Sequence, residues 1–225
     1  MSSMKSTKII LFDFDGVILN TEYIYLKIFI EYNKKLGIPI SKEIYIDNFL
    51  GKTKKEISAY LKNDVVDSFE EKEYWKGLYE YLDKYIRIND IKIQKGFLKL
   101  KKYLDKNNYK YAIVSSNSKE SIKKLLKKAN INIKDFYYIL SREDVINTKP
   151  HPDLYLKAIN YFDNNNKEDL IAIEDSNVGI EAALNAGLKV INFKDIDIIK
   201  DYLEKKCYAI ISSLEEVIDI IKEMK

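Results

Sequence analysis

The sequence predicts an α/β fold, a doubly wound parallel sheet with a helical domain inserted into it, on two observations. From residue 109 onward, short apolar runs alternate with stretches at helical spacing, and such alternation builds a parallel sheet covered on both faces. Between the first apolar run and the second lie roughly ninety residues that lack the alternation and read as helices. A helical block of that size needs a core of its own.

The apolar runs 8–12, 111–114, 137–140, 170–173, 190–193 and 209–211 read as buried strands. Residues 119–129 carry Ile122, Leu125 and Leu126 at helical spacing. A helix over 152–162 starts with Pro152 in its first turn. Another over 178–186 takes Ser176 or Asn177 as its cap and stops at Gly187. In the inserted block, residues 22–36 form a helix ending at Gly37 with Pro39 beyond. Thr53-Lys54-Lys55-Glu56 and Ser68-Phe69-Glu70-Glu71 both fit the capping-box pattern that opens a helix. The expected boundaries are 1–19 with 92–225 for the sheet domain and 20–91 for the insert.

Composition narrows the chemistry. At 225 residues and 46% apolar, the chain has enough length for a packed core. Lys+Arg (38) nearly balance Asp+Glu (35), so no strong field gathers nucleic acid or an anionic membrane. No apolar stretch reaches the ~18–20 residues that span a bilayer. The first apolar run breaks at Asp13, too early for a signal-peptide core. A lone cysteine, Cys207, makes no internal disulfide and fits a reducing compartment, so a cytoplasmic protein is expected; a monomer is the expected state, though no residue pattern carries it. With one histidine, His151, a His-rich zinc site is impossible and a Ser-His-Asp triad disfavoured. Catalysis falls to carboxylates, lysine, hydroxyls or a hard metal.

Four fragments carry such groups. Asp13-Phe14-Asp15-Gly16 puts two carboxylates where the first strand ends, the rim at which open parallel sheets bind ligands. Glu174-Asp175-Ser176 does the same after the strand at 170–173. Acidic strand ends that converge repel unless a cation sits among them, and an oxygen-only set suits Mg²⁺. Because Ser176 or Asn177 can cap the next helix, Asp175 is available as a ligand. Ser115-Ser116-Asn117 offers a hydroxyl and backbone N–H groups at a helix start, a ready anion site. Lys149-Pro150-His151-Pro152-Asp153 holds a lysine in a stiff loop. Each fragment alone also fits a polar turn, a cap or a solvated loop. Together they supply a nucleophile, an acid/base, a metal site and a counter-charge for phosphoryl transfer.

In this order and spacing the fragments resemble the haloacid dehalogenase-like superfamily, and within it the β-phosphoglucomutase and phosphoglycolate phosphatase group. The likeness runs through Asp13-Phe14-Asp15-Gly16-Val17-Ile18-Leu19-Asn20-Thr21-Glu22, the Lys149–Asp153 loop, and Glu174-Asp175-Ser176-Asn177-Val178-Gly179-Ile180-Glu181-Ala182-Ala183 with Ala186-Gly187. The resemblance implies a Rossmann-like catalytic core with a helical cap inserted after the first motif. It implies that Asp13 is the nucleophile and a Mg²⁺ ligand, and that Asp15 is the general acid/base with its carbonyl on Mg²⁺. Ser115 and Ser116, with Asn117, would bind the transferring phosphoryl group. Lys149 would neutralise nucleophile and phosphate, Asp175 would ligate Mg²⁺, and Glu174 would ligate it or orient a ligand.

Reaction class follows from departures as much as matches. Dehalogenases of the superfamily lack the carboxylate at the Asp15 position, so dehalogenation is disfavoured. Phosphohexose mutases have a histidine and an arginine where this chain has Tyr25 and Lys54, and lysine cannot grip phosphate bidentately. Hydrolysis of a small phosphorylated metabolite is therefore expected, with a β-phosphoglucomutase-type mutase as the alternative. Lys52 and Lys54 are candidate contacts for a second anionic group, against the plainer reading of a solvated helix start. A receiver domain would carry adjacent acids after the first strand and no helical insert, and a catalytically silent relative would lack one of Asp13, Asp15 and Asp175.

Overall fold

A computed structural model describes residues 8–65, 69–162 and 167–224. Six strands form one sheet: β1 (Ile9–Phe12), β2 (Lys110–Val114), β3 (Ile139–Leu140), β4 (Leu170–Glu174), β5 (Lys189–Phe193) and β6 (Ala209–Ile211). Their order is β3-β2-β1-β4-β5-β6 and every pairing is parallel. The chain therefore moves outward one way from β1 to β2 and β3, then returns to start β4 on the other side of β1. This reversal opens a crevice at the carboxyl ends of β1 and β4. The apolar runs become strands because both sheet faces are covered; all four residues of β1 are buried.

The helices, in chain order, are α1 (Thr21–Lys35), α2 (Lys42–Asn48), α3 (Lys54–Tyr60), α4 (Glu71–Ile88), α5 (Phe97–Lys106), α6 (Lys119–Lys128), α7 (Asp153–Tyr161), α8 (Asn177–Asn185), α9 (Asp201–Glu204) and α10 (Val217–Glu223). Contacts group the chain into two compact units, one running to Asn20 and resuming at Lys92, the other spanning Thr21–Ile91. In the sheet unit, alternate strand residues face opposite sides. Ile9, Leu11, Ala112, Val114, Leu170 and Ala172 pack with Leu154 and Tyr155 of α7 and Ile180 of α8. Phe12 turns to the other side, edge-on to Phe97 of α5 with ring centroids 5.6 Å apart. The outgoing and returning chains pair where they enter and leave this unit, through a Leu19–Ile93 bridge and an Asn20 N–H to Lys92 carbonyl bond of 2.9 Å.

In the helical unit, α1 packs on α4. Buried Asn33 donates both to the Phe29 carbonyl at 2.8 Å and to the Tyr74 hydroxyl at 2.9 Å. Trp75 Nε1 donates to Ser58 Oγ at 2.8 Å. Thr53 opens α3 with the expected reciprocal box to Glu56. The second expected box rests on Ser68, which lies outside the described residues; α4 starts at Glu71 on Glu70, with no side-chain cap bond from that residue. Two expectations need correction. From the run at 137–140 the strand itself is only Ile139–Leu140, although Tyr137 already donates its N–H to the Tyr111 carbonyl at 2.8 Å and the Tyr138 carbonyl accepts the Ile113 N–H at 3.2 Å. Pro152 precedes α7 as its cap residue and is not part of the first turn.

No helix among the described residues is long and apolar enough to cross a membrane. Cys207 follows α9, half-buried, with its Sγ near the Leu203 carbonyl. Burial and the neighbouring Glu204 push its thiol up to about 11. At pH 8 it should therefore react with a disulfide reagent on the order of 100-fold more slowly than free cysteine, whose pKa is about 8.5. Labelling within tenfold of the free rate would show an ordinary thiol.

Candidate active site

The side chains at the carboxyl ends of β1, β2 and β4 converge on one cluster. Asp13 extends β1 by one residue, its N–H bonded to the Ile173 carbonyl at 3.0 Å. Its carboxylate is buried and takes Lys149 Nζ on Oδ1 at 2.5 Å. The same ammonium donates to the Val114 carbonyl at 2.8 Å and to Glu174 Oε1 at 2.6 Å. A lysine has three N–H donors, so Lys149 is held by all of them across β1, β2 and β4. Burial works against its charge, but Asp13 and Glu174 outweigh that and hold its pKa above the ordinary lysine value.

Asp13, Glu174 and Asp175 are all buried, and each offers an oxygen within 4.8 Å of the others. Three carboxylates around one ammonium leave excess negative charge in a low-dielectric site. Burial accordingly raises the Glu174 pKa, with Lys149 opposing. Glu174 Oε2 is a buried oxygen with no hydrogen-bond partner. Backbone presses on both acids of the β4 end. A Cβ on Gly16 would lie 1.8 Å from Asp175 Oδ2, and Gly16 also has φ +77°. A Cβ on Gly179 would lie 1.9 Å from Glu174 Oε2. Two glycines thus cradle the two carboxylates. Surplus charge, an unpaired oxygen and an all-oxygen donor set fit a divalent hard cation such as Mg²⁺.

Around this centre, Ser176 Oγ accepts from Gly179 N–H at 3.2 Å and caps α8, which leaves that role off Asp175. Ser115 is buried at the end of β2, its N–H bonded to the Leu140 carbonyl at 3.0 Å. Its Oγ accepts the Asn117 N–H at 3.0 Å, so the hydroxyl proton can serve another acceptor. Ser116 is exposed beside it. Asn117 Nδ2 reaches Asp15 Oδ2 at 3.2 Å. The residues singled out at strand ends therefore meet: Asp13, Asp15, Ser115, Asn117, Lys149, Glu174 and Asp175. Lys52 and Lys54 belong to the helical unit, where Lys52 lies 4.0 Å from Glu56 and the Lys54 ammonium sits 5.0 Å from the Trp75 ring centroid. Sequence reasoning missed Tyr155, whose hydroxyl donates to Glu174 Oε1.

The sequence matches the haloacid dehalogenase-like hydrolase family profile over residues 10–193. The chain belongs to that family. Within the haloacid dehalogenase-like hydrolases, it is 25% identical over 219 residues to a phosphorylated carbohydrates phosphatase of Thermotoga maritima, covering 96% of this chain and 98% of that one. Among solved structures it superposes on a haloacid dehalogenase-like protein of unknown function from Agrobacterium tumefaciens with a TM-score of 0.81, 26% identity, and 97% and 99% of the two chains covered. A putative β-phosphoglucomutase from Thermotoga maritima shares the fold, with a TM-score of 0.78 at 22% identity over 96% and 99% of the chains. The six-stranded parallel sheet and the acidic cluster at its rim are thus those of a haloacid dehalogenase-like hydrolase.

Proposed function

We propose that this hydrolase is a Mg²⁺-dependent phosphatase that cleaves a small phosphorylated metabolite through an aspartyl-phosphate on Asp13. The observation that carries the reading is Lys149, shared between Asp13 and Glu174 and fixed by three bonds beside three buried carboxylates. Asp13, Glu174, Asp175 and the Asp15 carbonyl would hold Mg²⁺. When bound, the ion supplies positive charge that offsets the repulsion between phosphate and carboxylate.

The remaining steps belong to the chain. Lys149 neutralises Asp13 Oδ1 and keeps the carboxylate aimed. Asp13 attacks phosphorus, the ester P–O bond breaks, and Asp15 gives its proton to the departing oxygen. Asp15, now a carboxylate, takes a proton from water as that water attacks the phosphorus of the acyl phosphate. Inorganic phosphate leaves and both aspartates return to their starting states. Ser115 donates its hydroxyl proton to a phosphoryl oxygen, with Ser116 and Asn117 lining the same rim. Residues 1–19 and 92–225 form the catalytic core, and 20–91 act as a substrate-selecting cap that excludes water. Lys52 and Lys54 of that cap would contact a second anionic group. The phosphatase of phosphorylated carbohydrates among its relatives supports a sugar phosphate or similar ester as substrate. The enzyme works as a cytoplasmic monomer, without nucleic acid or membrane.

The test is phosphate release from a panel of sugar phosphates, sugar-acid phosphates and phosphoglycolate. Release should require Mg²⁺ and stop with a chelator. A coupled assay should show no rapid conversion of β-glucose 1-phosphate to glucose 6-phosphate. Chelator-insensitive release would remove the metal, and rapid conversion would replace the hydrolase reading with the mutase one.

A further inference from the structure

Tyr155 heads the fully buried side chains of the described residues in size. It projects from α7 into the apolar cluster that includes Leu11, Val114, Leu154 and Ala172. A phenylalanine would fill almost the same space there and avoid the cost of burying a hydroxyl. That hydroxyl meets one acceptor, Glu174 Oε1. A phenol O–H facing a carboxylate oxygen serves as its donor. The ring does a second job, lying 5.2 Å from the Lys149 ammonium.

The arrangement poses a competition. One ammonium serves two carboxylates, and its third donor is spent on the Val114 carbonyl. Glu174 Oε1 accepts two bonds, from Lys149 and Tyr155, while Glu174 Oε2 accepts none. Without the phenol, Lys149 would be the one donor left to Glu174 in these contacts. A buried carboxylate with a single cationic partner pulls that partner strongly, because low dielectric magnifies the attraction.

We propose that Tyr155 is a positioning residue: by donating to Glu174 Oε1 it keeps Glu174 from drawing the Lys149 ammonium off Asp13, and it holds the Glu174 carboxylate toward the divalent cation. The inference rests on the phosphatase reading, but its experiment separates the two. Tyr155→Phe removes the hydroxyl and keeps the ring and the packing. Turnover of a small phosphate ester should fall about 10–100-fold with KM within twofold of the parent, and Mn²⁺ binding, followed by electron paramagnetic resonance, should weaken about 10-fold. The thermal midpoint should stay within a few degrees. Asp175→Asn, titrated alongside, marks the Mn²⁺ signal of this site. Turnover and Mn²⁺ affinity both within twofold of the parent would overturn the proposal. So would a lowered midpoint with both of those retained, since that is packing alone. A parent without Mg²⁺-dependent turnover sinks the phosphatase reading, and the Mn²⁺ comparison then decides Tyr155 by itself.

Discussion

Asp13→Asn should abolish Mg²⁺-dependent phosphate release, a loss on the order of 10⁴-fold or more if the side chain is the nucleophile. The substitution keeps shape and removes the charge that attacks phosphorus. Folding should survive it. Asp13 is one of three buried carboxylates gathered around a single ammonium, so in the metal-free protein its charge repels two neighbours while sharing Lys149 with one of them. Replacing it leaves Lys149 paired with Glu174 at 2.6 Å and with the Val114 carbonyl at 2.8 Å. The thermal midpoint in chelator should therefore match or exceed the parent's, the usual trade of stability for function at such a site. Added Mg²⁺ should raise the parent's midpoint, since a ligand that binds only the folded state stabilises it, and should raise the variant's less. A variant that turns over near the parent's rate removes Asp13 from the chemistry. A variant that unfolds at room temperature would show that the Asp13 charge holds the fold together and does not strain it.

Much of this centre was legible in the sequence, for a local reason. Parallel strands covered on both faces read as unbroken apolar runs, and the catalytic groups sit on the residues that end those runs: Asp13 after Phe12, Ser115 after Val114, and Glu174 as the last residue of β4 with Asp175 behind it. Topology then carries them to one rim. Other features are harder to read. Phe97, Leu100 and Leu104 of α5 are buried at helical spacing, yet they fall between the inserted helices and the second strand, where the period is hard to separate from its surroundings. Tyr155 has no local signal at all. The chain holds 18 tyrosines, and only the hydroxyl's bond to Glu174 at the end of β4 tells this one from the rest. Gly16 and Gly179 are alike in this respect. The sequence shows a glycine after an acidic pair and another inside a helix; the reason for Gly16 is Asp175, supplied by a distant segment, and the reason for Gly179 is Glu174, five residues earlier, whose carboxylate folds back under the helix start.

Gly179→Ala should therefore destroy activity even though it improves the helix it sits in. On an exposed helix the change would stabilise by about 1 kcal/mol, because alanine loses less backbone freedom. In α8 the new methyl would lie 1.9 Å from Glu174 Oε2 and 2.2 Å from its Cδ. Glu174 cannot swing aside cheaply, since its residue is fully buried and its other oxygen is held by Lys149 and Tyr155. Either the first turn of α8 moves, dragging Ser176 and Asp175 with it, or Glu174 gives up the bonds that place Lys149. Overpacking of this kind costs about 1–3 kcal/mol, and the lost bonds add to it, so the net sign is destabilising. Activity should drop about 100-fold or more, in line with disrupted metal support. Gly77→Ala in α4 supplies the contrast. Its methyl would meet the hydroxyl end of half-exposed Tyr32 at 2.1 Å, a side chain that can tilt outward, so propensity should nearly balance the crowding and turnover should hold within a few-fold. Measured thermal midpoints and turnover of the two variants decide the point: equal behaviour would mean that Gly179 is a helix residue like any other, and that the carboxylate behind it has room to move.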